Sequence, residues 1–93
     1  MSSRLDTFRD FELLYQLLPP SKRQWPPKLA FAMLSAAVEE DQKIRKAYES
    51  GTLDRALAID IMKSYNFVDI DDVTEEQIDK AVTILHSIIK LAS

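Results

Sequence analysis

Few residues of this chain are of a type and spacing to do chemistry. His86 is the single histidine, and a Ser-His-Asp arrangement needs it beside a serine and a carboxylate that no motif marks. Leu85 and Ser87 flank it in an otherwise apolar stretch, which reads as a histidine at a helix edge with its ring satisfied. The absence of cysteine removes a thiolate nucleophile, a disulfide frame, a Cys-type zinc site and an iron–sulfur cluster. A single glycine leaves no material for a phosphate loop or a dinucleotide fingerprint. Carboxylates are plentiful, but no pair is marked out as acid and base; Asp60, between Ile59 and Ile61, simply faces the other side of a helix. The expectation is a protein that is not an enzyme, with no catalytic residue, cofactor or metal.

The acidic run Asp69, Asp71, Asp72, Glu75, Glu76 and Asp79 is the nearest approach to a metal site, because hard cations take clustered carboxylates. As an EF-hand loop counted from Asp69 it lacks the turn glycine and places Lys80 where the bidentate glutamate belongs. Glu75, Glu76 and Asp79 have a plainer role in the first turn of a helix, where negative charge complements the helix dipole.

The other cluster is basic. Lys22, Arg23 and Lys28 surround Trp25, the only tryptophan, between two proline pairs. Prolines stiffen the backbone and hold it extended, so Trp and Arg are presented on a preorganised loop of the kind interfaces favour. The competing reading is that Trp25 folds back over the first two helices as a lid, since tryptophan has much surface to bury.

The elements that position these groups are helical. Leu5, Phe8, Phe11, Leu14, Tyr15 and Leu18 recur three or four apart, and Pro19-Pro20 stop that helix near residues 4–18. Pro27 suits the first turn of a second helix near 28–50. This helix is apolar or small at almost every position from Leu29 to Val38, the pattern of a buried central element, and turns polar beyond Glu39, where Glu39 and Lys43 are spaced to pair. Gly51 ends it in the left-handed conformation. Thr52 caps a third helix near 53–65, with Leu53, Ala56, Leu57, Ile61 and Tyr65 on one face. The segment from Phe67 to Val73 reads as a loop held to the core by Phe67 and Ile70. Thr74 and Gln77 then form a capping box, with Val73 and Ile78 as a hydrophobic staple, for a fourth helix near 75–92. Ile78, Val82, Leu85, Ile89 and Ala92 line one of its faces, and Ala81, Ile84, Ile88 and Leu91 widen the stripe beyond what one neighbour covers.

The result is an all-α fold, a single small domain of about four helices over residues 1–93, in a bundle or an orthogonal packing. No stretch approaches the roughly 20 apolar residues of a membrane span, and the first residues, Met1 to Asp6, lack the apolar core of a signal peptide, so the expected location is cytoplasmic. The expected function is that of a non-catalytic interaction module, a regulator, inhibitor or adaptor whose partner is another protein. Its expected partner-binding residues are Lys22, Arg23, Trp25 and Lys28 on the loop and Ile84, Ile88 and Leu91 on the fourth helix. With the second helix central, the surplus stripe of the fourth is expected to be covered across a two-fold axis in a homodimer. The alternative from another class is a nucleic-acid-associated regulator, whose dimer sums two weak basic clusters. A net charge of −3, a pI near 5.0 and acids at the start of the fourth helix weigh against it. If the stripe is an interface, Ile88→Lys yields a folded monomer, read as unchanged circular dichroism with a halved mass.

Overall fold

The computed structural model describes residues 4–68, 71 and 73–92, and it is all-α. Five α-helices follow in order: α1 Arg4–Gln16, α2 Pro27–Glu40, α3 Gln42–Glu49, α4 Arg55–Ser64 and α5 Glu75–Ala92, with a short 3-10 turn at Pro20–Lys22 between the first two. No helix among the described residues is long and apolar enough to cross a membrane.

Where the sequence suggests one helix over 28–50, the structure has two. The break lies at Asp41, whose backbone is extended (φ −86°, ψ 107°) and whose carboxylate accepts hydrogen bonds from the N–H groups of Lys43 (2.9 Å) and Ile44 (3.3 Å). A side chain that satisfies two otherwise orphaned donors makes a new helix start cheaper than continuation. Arg45 closes the other side of the break by donating to the carbonyl of Glu39 (3.0 Å) at the end of α2. With the helix interrupted, Glu39 meets Arg4 of α1 (3.6 Å) rather than Lys43.

Two helices end in left-handed residues. Gly51 (φ 76°) follows α3, and Asn66 (φ 62°) follows α4. In each case the two residues at the turn donate back across it: Gly51 to Tyr48 and Thr52 to Ala47, then Asn66 to Lys63 and Phe67 to Met62. This paired pattern satisfies the last carbonyls and redirects the chain inward, delivering Leu53 and Phe67 to the core. The cap of α4 is Asp54, which accepts from the N–H of Leu57 (3.0 Å), not Thr52. At α5 the capping box forms as expected, with Thr74 N–H donating to Gln77 Oε1 (2.8 Å) and Gln77 N–H donating to Thr74 Oγ1 (3.2 Å). Ile70 of the preceding loop lies outside the described residues.

The central helix is α5, not α2. It packs against all four others, and the residues that widen its stripe, Ala81, Ile84 and Ile88, are among its most buried, while Ile78 and Val82 lie only partly covered. A helix touched from several sides buries a wide arc within its own chain, and this corrects the assignment of Ile84 and Ile88 to a surface. Leu91 alone of that set remains substantially exposed (40%). On α2, by contrast, only Ala30, Leu34 and Val38 are buried. The expected outcome at Ile88 therefore reverses. Ile88→Lys places an unpaired charge in the core and should abolish the cooperative thermal transition, a loss of about 3 kcal/mol or more. Leu91→Lys should stay within about 0.5 kcal/mol of the parent in the same melting experiment.

Candidate functional site

The connector between α1 and α2 owes its shape to proline and to one tyrosine. Pro19 (φ −62°, ψ 150°) and Pro26 (φ −57°, ψ 143°) hold polyproline-like angles at its two ends. Between them the 3-10 turn is closed by Lys22 N–H donating to Pro19 and Arg23 N–H to Pro20 (2.9 and 3.1 Å). The buried Tyr15 of α1 then grips the loop from below. Its hydroxyl donates to the carbonyl of Trp25 (2.8 Å) and accepts from the N–H of the same residue (3.3 Å). Both backbone groups of Trp25 are thus satisfied by one side chain, which holds the residue in place without using its indole.

The indole is half-exposed (51%), so Trp25 is not a closed lid over the first two helices. Beside it opens a cleft of about 420 Å³. Its walls are Tyr15, Leu34 and Phe67 from the core, Met33 and Ala37 of α2, and Tyr65 and Asn66 after α4, with Lys22 at the rim. The core wall is aromatic and rigid: the Phe67 ring stands edge-on to Phe11 (5.2 Å between centroids) and to Tyr15 (6.0 Å), and Phe11 stacks on Tyr15 (5.5 Å). Among the described residues no histidine or carboxylate lines the cleft, which offers an apolar anchor point with a cationic edge.

A second depression, a shallow groove of about 510 Å³, runs between α1 and α2. Leu5, Phe8, Phe31, Ala32 and Ala36 line it, with Lys28 at one end and the Arg4–Glu39 pair at the other.

Of the residues singled out from sequence, the structure brings Lys22 and Trp25 together at the cleft, and puts Lys28 in the groove on the far flank of α2. Arg23 is exposed on the connector. Ile84 and Ile88 are interior, and Leu91 stands apart from the cleft. His86 sits at the edge of α5, where Nε2 lies 2.8 Å from the carbonyl of Leu53 and must carry the hydrogen, since a carbonyl only accepts; its ring stands edge-on to Tyr48. In the acidic run, Glu75 and Asp79 both accept from Arg55 of α4, the latter at 2.6 Å, and these contacts raise the Arg55 pKa, chiefly through the hydrogen bond that Arg55 donates to Glu75. Asp69 and Asp72 lie outside the described residues, and among the described residues no group of three histidines or carboxylates converges on a common point.

Sequence reasoning missed the Tyr15 clamp, which joins residues ten apart across a turn, and it missed Leu29 and Met33 as surface residues. The usable signal was the charge placement on α2, apolar in the middle and charged only at its ends. No family model, curated protein or solved structure matches this chain.

The Tyr15 hydroxyl carries a measurable share of this geometry. Tyr15→Phe should cost about 1 kcal/mol of stability. It should also lower the steady-state fluorescence anisotropy of Trp25, because both backbone restraints on the residue are lost together.

Proposed function

We propose that the protein is a non-catalytic interaction module, a regulator, inhibitor or adaptor that docks another protein at the Trp25 cleft. The observation that carries this reading is a half-exposed tryptophan whose backbone is doubly hydrogen-bonded to a buried tyrosine. Large aromatic side chains contribute most to binding when they are already ordered, because the entropy of fixing them is not lost at association. The adjoining cleft is rigid on its core side and accepts an apolar side chain of the partner, while Lys22 at the rim favours an acidic neighbour.

Trp25→Ala is the direct test, since the clamp uses only the backbone of residue 25 and survives the substitution. The variant should keep its helical circular dichroism and remain within about 1 kcal/mol of the parent in stability. In affinity capture the parent should retain a protein that the folded variant loses. Equal retention by the two, or a parent that retains nothing, sinks the reading.

A further inference from the structure

The outer face of α2 departs from ordinary surface chemistry. Its exposed residues are Lys28, Leu29, Ala32, Met33, Ala36 and Glu40. Leu29 and Met33 are 42% and 50% exposed, and four consecutive members of that row are apolar. Charge appears only at the ends, cationic at the first turn and anionic at the last. This order opposes the helix's own dipole, which favours acids at the N-terminus and bases at the C-terminus. Neither the apolar row nor the inverted charges help an isolated subunit.

Both are accounted for by one occupant, and we propose that a second copy of this chain packs on α2 in antiparallel orientation across a two-fold axis near Met33. Reversing one copy relative to the other sets Lys28 of each against Glu40 of its partner. Lys28 and Glu40 are twelve residues apart, about 18 Å along a helix, so two ion pairs bracket the apolar centre. The same reversal sets Ala32 of each copy against Ala36 of the other and brings the two Met33 side chains together near the axis, and the helix dipoles then run opposite. Ala32 and Ala36 also border the α1–α2 groove, whose floor of Leu5, Phe8 and Phe31 receives the Leu29 side chain of the facing copy. The groove is needed, because a ridge of one 14-residue helix falls well short of the roughly 800 Å² that each partner contributes to a standard interface. An unrelated partner would require no inverse symmetry of charge along the helix; a copy of the same helix does.

This assembly uses the outer row and the groove, shares only Met33 with the wall of the Trp25 cleft and does not use Trp25, so it stands independently of the docking reading. The test is sedimentation equilibrium of the full chain from about 1 µM to 1 mM, a range that covers weak to moderate self-association. The parent should dimerise within it. Lys28→Glu and Glu40→Lys should each weaken the dimer about tenfold or more by placing like charges opposite, and the double exchange should restore it to within about threefold of the parent. Each single exchange also relieves the clash with the helix dipole, so the isolated subunit should melt no earlier than the parent measured at dilution. Trp25→Ala should leave the association unchanged. A parent that stays monomeric throughout, single exchanges without effect, or a double exchange that fails to restore association overturns the proposal.

Discussion

The packing of α5 against all four other helices is the constraint from which the rest of the structure follows. At 18 residues it is the longest helix, about 27 Å, and can serve several neighbours at different heights. Its interior positions Ala81, Ile84, Leu85, Ile88 and Ile89 form the middle of a core to which every other helix contributes. The termini of the neighbouring elements are arranged for this packing. The capping box fixes where α5 begins, and the two left-handed turns at Gly51 and Asn66 bring Leu53 and Phe67 down onto the core. His86 and Arg55 tie loop and helix ends to the same element, one through the Leu53 carbonyl and the other through Glu75 and Asp79.

Once α5 occupies the centre, α2 is left at the periphery. A bundle this small has one central place, and the helix that lacks it must show a face to solvent. The face shown here is Leu29, Ala32, Met33 and Ala36, and the connector that leads into it presents Trp25. The exposed apolar surfaces are thus consequences of the packing and not additions to it. The aromatic cluster of Phe8, Phe31, Phe11, Tyr15 and Phe67 makes one side of α1 rigid, which lets the Tyr15 hydroxyl work as a fixed clamp. The cleft and the outer row of α2 occupy adjacent regions of one helix, with Met33 at their border.

What could be read from the chain before folding was local. Helical periodicity, the two proline pairs, the left-handed glycine and the Thr74–Gln77 box all act within a few residues, and each appears where its local chemistry demands. The break at Asp41 is also local in its cause, yet helical periodicity passed over it, because an acid inside a polar stretch caps or continues a helix according to which neighbours its turn can reach. The Trp25 loop was recognisable as stiff from its prolines, but not as clamped, since the hydroxyl that holds it belongs to a helix whose other residues advertise only core packing.

By itself, then, the sequence determined an all-α chain, the positions of most helix starts and stops, and the candidacy of the connector as a presented loop, because those depend on interactions between residues one to five apart. Only the tertiary structure decided which of two widely apolar helices is central. A helical pattern records how broad an apolar arc is but not how many neighbours surround it, so α2 and α5 look alike until packed. Length and the kink at Asp41 resolve the choice: α5 spans the whole core, α2 stops after 14 residues, and the apolar surface expected on the last helix lies on the second instead.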